Sequence, residues 1–201
     1  PGMLPNLSAY GRWLAEQAVQ RSQGRSFVLL GHSLGGSVVL HAEAHLRQRR
    51  QPGLTGVVLL AAGGGIYQPR PFRRLRSFGR LILELRPDAL AQLPQPFGGL
   101  GPFKAERRAA RGLLVNSTSR GAVRDLPGLV SELEVASLWI SGDQDQVMEP
   151  GYVRHLAAYS PGHDYRQIEG CGHLAMRQKP EELRRVLFSW VESQSLARPR
   201  S

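Results

Sequence analysis

Short runs made mostly of apolar residues mark three segments of the chain as strands covered on both faces of a sheet. They are "FVLL" at 27–30, "GVVLLAA" at 56–62 and "VASLWISG" at 135–142, and "YRQIEG" at 165–170 is a weaker fourth candidate. Short runs rich in valine, isoleucine and leucine are typical of buried parallel strands. The pattern therefore predicts a buried, mostly parallel sheet.

Segments with helical spacing lie before, between and after these strands. Residues 7–22 predict a helix with Ser8 as a plausible N-cap, and "SVVLHAEAHL" predicts a second helix directly after Ser33. "KPEELRRVLFSWVESQ" at 179–194 predicts a final helix that starts at a proline. Strands that alternate with helices predict an α/β fold with helices on both faces of the sheet.

Length and composition are compatible with one domain that carries a modest insertion. The chain has 201 residues, 41% of them hydrophobic, and a single cysteine, Cys171, so no internal disulfide can form. A charged-then-apolar leader and an apolar run of about 20 residues are both missing from the sequence, which favours a soluble, cytoplasmic protein without a transmembrane segment. Because the first residue is Pro1, we expect an amino terminus that is processed or lies further upstream.

The formal charge of +10 is concentrated in the middle of the chain. Residues 70–124 hold 12 basic and 3 acidic side chains, whereas residues 1–69 hold 6 and 2 and residues 125–201 hold 8 and 11. A compositional shift of this kind, bounded by proline and glycine clusters, indicates a separate structural unit.

We expect residues 66–126 to form this inserted unit, with residues 1–65 and 127–201 as the core. Within the insertion, 72–85 alternates apolar and arginine positions at helical spacing, which predicts a basic amphipathic helix. It is expected to cover a pocket with its apolar side. Its charge also suits steering of an anionic substrate, docking of an acidic carrier protein or contact with anionic lipid at a membrane surface. Nucleic acid is not an expected partner, because the basic and aromatic residues do not alternate as they do in a known recognition module.

The strongest chemical signal is "GHSLG", in which Gly31, Ser33 and Gly35 form G-x-S-x-G between a predicted strand and a predicted helix. Small residues two before and two after the serine allow a tight turn that exposes its hydroxyl. The start of the following helix offers free backbone amides to a developing oxyanion. The pattern indicates Ser33 as a nucleophile.

A serine nucleophile needs a base to remove its proton and an acid to orient that base. "SGDQDQVMEP" follows the third strand and "GCGHL" follows the fourth, at the strand ends where parallel sheets build their sites. The chain order of Ser33, then an aspartate, then His173 is the order expected of a serine triad on such a sheet.

These residues resemble the α/β-hydrolase superfamily, in particular its capped, esterase-like and epoxide-hydrolase-like branch. Residues 26–62 and 135–194 carry the resemblance, and the middle segment falls where that family inserts a cap. The resemblance assigns the triad acid to Asp145 through G-x-x-D at 142–145, and it assigns the base to His173 through G-x-G-H at 170–173.

Several other residues near these motifs need a separate interpretation. Asp143 is an alternative acid, although capping or bracing of its loop fits its position better. His32 is expected to line the pocket or to bond backbone, and Leu34 is expected to supply one oxyanion donor from its backbone N–H. Cys171 is expected to be a packed, inert thiol rather than a redox switch.

The resemblance implies cleavage of a small-molecule carboxylic ester or thioester through an acyl-enzyme, without cofactor or metal. Dehalogenases and epoxide hydrolases of the superfamily carry an aspartate where this chain has Ser33, so neither activity is favoured. Three alternatives stay open: an acyltransferase, a C–C bond hydrolase that uses the same triad, and a catalytically silent binding module.

One part of the family pattern is missing. The resemblance places earlier strands and an oxyanion loop before residue 27, where this sequence predicts only a helix. We therefore expect the nucleophile strand to be an unpaired edge. We also expect either that this chain is a fragment of a longer protein or that a partner supplies the second oxyanion donor.

Overall fold

The computed structural model describes residues 6–63 and 120–196, and a four-stranded parallel sheet forms its centre. Its strands lie in the spatial order β1-β2-β3-β4, and each neighbouring pair is parallel. The predicted α/β fold with a parallel sheet is confirmed, and the strand ends differ by no more than two residues from the predicted ones. The strands are β1 Phe27–His32, β2 Leu54–Leu60, β3 Ala136–Gly142 and β4 Asp164–Ile168.

Helices connect and cover these strands. The first helix has the predicted bounds, and the last begins at Pro180, one residue after the predicted start. The helices of the described residues are α1 Leu7–Ser22, α2 Leu34–Gln48, α3 Arg120–Ser131, α4 Pro150–Ala157, α5 Ala175–Gln178 and α6 Pro180–Leu196.

Successive residues of β2 belong to two separate apolar clusters, which places packed helices on both faces of the sheet. Val57 and Leu59 join the cluster that contains residues of α1 to α4, whereas Val58 and Leu60 join the cluster that contains residues of α6. Side chains alternate between the two faces of a strand, so β2 is buried on both sides. The prediction of a strand covered on both faces is correct here.

The nucleophile strand β1 lies at one end of the described sheet, as expected, but it is not covered on both faces as predicted. It pairs with β2 along one edge, and no other described strand pairs with it. Leu29 is buried, but the neighbouring Leu30 is 50% exposed. Among the described residues, the face on which Leu30 lies is therefore only partly covered.

The N-cap of α1 also differs from the prediction. Asn6 is the cap, and its side-chain oxygen accepts a hydrogen bond from the backbone N–H of Ala9 at 2.8 Å. Ser8 lies inside the first turn of the helix. Both residue types suit a cap, and the helix begins at Leu7, two residues earlier than an N-cap at Ser8 would place its start.

The boundary predicted between insertion and core falls within a continuous helix. Helix α3 runs across residues 126 and 127, and Leu126 and Val130 belong to the same apolar cluster as α1 and α2. Most of the predicted insertion, including the basic helix at 72–85, lies outside the described residues. Its role as a cap stays a prediction.

Helix α1 packs closely against α2 at a glycine, so any side chain at that position should lower the free energy of unfolding. A Cβ at Gly11 would lie 2.5 Å from the Cβ of His41 and 2.8 Å from its carbonyl carbon. We expect Gly11→Ala to lower the free energy of unfolding by about 1 to 3 kcal/mol, because the helices must separate. Urea unfolding followed by circular dichroism measures this change.

The matched control is Gly128→Ala within α3, where an added Cβ meets no described atom within 4 Å. Alanine is favoured over glycine in a helix by up to about 1 kcal/mol, so this variant should be as stable as the parent chain or more so. Equal stability of the Gly11→Ala variant and the parent chain would contradict the close contact between α1 and α2 at Gly11.

Candidate active site

Ser33 occupies a strained corner between the end of β1 and the first residue of α2. Its backbone has φ 54° and ψ −123°, a region that residues other than glycine rarely adopt. The Ser33 N–H donates to the Leu60 carbonyl at 2.9 Å, which fixes the corner against β2. Such strain persists only where the surrounding structure holds it, and it is frequent at functional sites.

Of the two glycines of the motif, Gly31 is the one that the packing requires. A Cβ at Gly31 would lie 2.5 Å from the carbonyl carbon of Gly35, so any larger residue would push the strand away from the helix. A Cβ at Gly35 meets no described atom within 4 Å. The expectation that the tight turn needs small residues at both positions therefore has support from the packing at Gly31, and none from the packing of the described residues at Gly35.

The side chains of Ser33, His173 and Asp145 lie in one continuous hydrogen-bonded row. His173 Nε2 lies 3.1 Å from Ser33 Oγ, and His173 Nδ1 lies 2.9 Å from Asp145 Oδ2. The Asp145 side chain is fully buried, and that of His173 is 19% exposed. The structure thus brings together all three residues that the sequence motifs indicated.

Asp145 is fixed by two donors that the sequence motifs did not indicate. Its Oδ1 accepts hydrogen bonds from the backbone N–H groups of Val147 at 2.8 Å and Met148 at 2.9 Å. The other oxygen is therefore free to face His173. A carboxylate followed by two or three residues that turn back onto it is a common loop feature, and it could have been anticipated.

Asp143, the alternative acid, has a different partner. Its Oδ1 accepts a hydrogen bond from the backbone N–H of Cys171 at 3.0 Å. Backbone hydrogen bonds from Cys171 and Gly170 hold the pKa of the Asp143 carboxyl below its usual value. Asp143 therefore braces the loop that carries His173, while Asp145 contacts the imidazole itself.

The two remaining neighbours of the site are a histidine and a thiol. The Nε2 atom of His32 lies 2.9 Å from the His173 carbonyl oxygen, so His32 bonds backbone, which was one of its two expected roles. Burial lowers the pKa of His32. Cys171 is fully buried, and burial raises the pKa of its thiol, which disfavours the reactive thiolate.

Leu34 is the first residue of α2, so its backbone N–H has no acceptor within the helix. That position is compatible with the expected oxyanion donor. The loop expected to supply a second donor would precede residue 27, where the described residues contain α1 and the turn that follows it. In the described ranges, no group of three histidine, cysteine or acidic residues could hold a metal ion.

The chain matches the model of the alpha/beta hydrolase family over residues 2–186. It is 30% identical over 130 residues to bifunctional epoxide hydrolase 2 of Sus scrofa, and this match covers 65% of the chain and 21% of that protein. The corresponding protein of Mus musculus is 26% identical over 78 residues, and this match covers 39% of the chain and 14% of that protein. The chain therefore spans about a fifth or less of these relatives.

Solved structures with the same fold include two esterases and one protein of another name. The esterase from Exiguobacterium antarcticum superposes with a TM-score of 0.69 at 18% identity, covering 96% of this chain and 76% of that one. A thermophilic esterase from Thermogutta terrifontis superposes with a TM-score of 0.65 at 20% identity, covering 96% of this chain and 74% of that one. MenH from S. aureus superposes with a TM-score of 0.64 at 16% identity, covering 97% of this chain and 79% of that one. At these identities the likeness shows the fold.

The contact between Asp143 and the His173 loop predicts a pH-dependent contribution to stability. Because the folded pKa of Asp143 lies below its unfolded value, its stabilising effect is complete above the unfolded pKa of about 3.9. The effect is lost as the pH falls through the folded pKa. We expect Asp143→Asn to destabilise the protein at pH 7, and we expect the difference from the parent chain to shrink below about pH 4.

Urea unfolding at pH 7, 5 and 3 measures this difference. Asp125→Asn is the control, because Asp125 is exposed and its ion pair with Arg124 is long, at 3.9 Å, so little change is expected at any pH. A difference between the parent chain and Asp143→Asn that stays constant from pH 7 to pH 3 would show that the carboxylate charge is not involved.

Proposed function

The chain belongs to the alpha/beta hydrolase family, and from this membership we propose that it is a serine hydrolase of carboxylic esters or thioesters. The observation that carries the proposal is the row of hydrogen bonds from Ser33 Oγ through the His173 ring to Asp145 Oδ2. Each of the three groups has the partner that its role in acyl transfer requires.

Asp145 would set the protonation of the imidazole. A buried carboxylate only accepts hydrogen bonds, so the proton lies on Nδ1 of His173 and leaves Nε2 unprotonated. Nε2 can then accept the hydrogen of the Ser33 hydroxyl at 3.1 Å. This is the arrangement in which a neutral histidine acts as a general base.

Ser33 would attack the carbonyl carbon of the substrate while its proton moves to His173. The resulting oxyanion would lie against the start of α2, where the Leu34 N–H and the positive end of the helix dipole stabilise negative charge. The imidazolium would return its proton to the leaving alcohol or thiol. Water would then cleave the acyl-enzyme through the same base, and no cofactor takes part.

The nucleophile argues for acyl transfer and against epoxide opening, although two relatives are named as epoxide hydrolases. If a serine oxygen opened an epoxide, the product would be an ether, which water does not cleave under mild conditions. An ester formed by Ser33 with an acyl group is cleaved by water with histidine as the base. Turnover with Ser33 therefore requires an acyl substrate.

The described residues suggest no strong preference for substrate charge. Residues 6–63 and 120–196 contain 14 basic and 13 acidic side chains, so the basic excess lies elsewhere in the chain. Within the described helices, none is long and apolar enough to cross a membrane. We propose a small-molecule ester or thioester as the substrate, and its acyl and leaving groups are for substrate screening to define.

Labelling with a fluorophosphonate and hydrolysis of short p-nitrophenyl esters test this function in the 201-residue chain. We expect covalent labelling that Ser33→Ala abolishes. Asp145→Asn should lower kcat by about 10⁴-fold, because the imidazole loses the acceptor that fixes its tautomer.

Asp143→Asn is the matched control, since it changes an aspartate two positions away that contacts backbone rather than the imidazole. We expect its kcat to stay within about one order of magnitude of the parent value, since only loop bracing is affected. A folded parent chain that is not labelled would end the hydrolase proposal. A larger loss in Asp143→Asn than in Asp145→Asn would overturn the assignment of the acid.

A further inference from the structure

His32 links the two segments that carry the nucleophile and the base. It is the last residue of β1 and directly precedes Ser33, yet its Nε2 lies 2.9 Å from the carbonyl oxygen of His173. The two imidazole rings lie with their centroids 4.8 Å apart and their planes at 47°. The side chain therefore extends from the nucleophile corner to the backbone of the histidine loop, 141 residues away in sequence.

The carbonyl partner fixes the role of the His32 ring. A carbonyl oxygen only accepts hydrogen bonds, so the hydrogen must be on Nε2 of His32. In the neutral ring, Nδ1 is then unprotonated, which is the opposite tautomer from that required of His173. The charged or titratable groups that influence His32 are His173 and Asp145, and burial opposes a positive charge on its ring.

The contacts form a closed circuit through the site. Ser33 is bonded covalently to His32, His32 is hydrogen-bonded to the His173 backbone, and the His173 ring is hydrogen-bonded to Ser33 Oγ. In such a circuit, the distance between the Ser33 hydroxyl and the His173 ring depends on the His32 contact. Loss of that contact would free the histidine loop to move relative to the nucleophile.

We propose that His32 is a positioning residue that holds the His173 backbone so that Nε2 stays within hydrogen-bond reach of the Ser33 hydroxyl. The inference rests on the proposed hydrolase function, because it concerns the proton transfer from Ser33 to His173. It assigns His32 no contact with the reacting atoms. Its effect is on the rate of the chemical step rather than on substrate binding.

Two substitutions separate the hydrogen bond from the rest of the side chain. Gln places its amide nitrogen the same number of bonds from Cα as Nε2 of histidine, so His32→Gln keeps a donor for the His173 carbonyl. His32→Leu keeps an apolar side chain of moderate size but has no donor. Both leave Ser33, His173 and Asp145 unchanged.

We expect His32→Leu to lower kcat for a p-nitrophenyl ester by about 10- to 100-fold with little change in KM, since small displacements of reacting groups have effects of this size. His32→Gln should recover most of the rate. A parent-like kcat in His32→Leu would overturn the inference, as would a His32→Gln variant that is as slow as His32→Leu. A rise in KM at unchanged kcat would also overturn it, because that result indicates a role in substrate binding.

Nitrogen-15 NMR of the histidine side chains gives a readout that needs no activity. In the parent chain we expect a hydrogen on Nε2 of His32 and on Nδ1 of His173, and the opposite tautomer of His32 would overturn the inference. The His173 Nδ1–H resonance should persist in His32→Gln and exchange faster with water in His32→Leu. Equal exchange in the two variants would contradict the positioning role.

These two sets of measurements distinguish this inference from the proposed function. If the parent chain shows the expected tautomers and variant-dependent exchange but is not labelled by the fluorophosphonate, the hydrolase function fails and the His32 contact stands. If the parent chain is labelled but His32→Leu reacts at the parent rate, only the positioning role fails. Should His32→Leu not fold, His32→Phe removes the donor and keeps a planar ring.

Discussion

The parallel alignment of β1, β3 and β4 is the constraint on which the site depends. In a parallel sheet all strands end at the same edge, so the loops that follow them meet there. Ser33 directly follows β1, whereas Asp145 and His173 lie in the loops after β3 and β4. Residues that are 140 positions apart in sequence therefore come within hydrogen-bond distance. An antiparallel strand in any of these places would carry its residue to the opposite edge.

Within this site, the loops of the acid and the base contact each other directly, and the nucleophile corner has other contacts. A Cβ at Gly142 would overlap the Cys171 carbonyl, so the two loops touch through their backbones. Gln144 N–H donates to that carbonyl at 2.9 Å, and Asp143 accepts from the Cys171 N–H. The nucleophile corner is instead fixed to β2 through Leu60. Hydrogen bonds of His32 and Ser33 with His173 join the nucleophile corner to these loops, which is why a side chain that bridges them matters.

Sequence patterns predicted the parts of this structure that depend on neighbouring residues. Apolar runs located the strands, glycine and serine spacing located Ser33, and the resemblance to the family assigned Asp145. The partner of His32 and the exposure of Leu30 could not be predicted, since each depends on which distant segment lies beside it. A local pattern predicts which residues form a strand, a helix or a turn, and it does not predict which distant segment packs beside them.

The basic excess of the chain lies outside the described residues, which include the proposed catalytic groups. The described residues carry almost equal numbers of basic and acidic groups, 14 and 13, although the whole chain has a formal charge of +10. In the site itself, Asp145 is directed at His173 and Asp143 at backbone amides. These contacts are short and local, so dissolved salt should screen them little. A strong effect of ionic strength on substrate binding would therefore have its origin in the basic residues of 64–119 and 197–201, and not in the proposed catalytic groups.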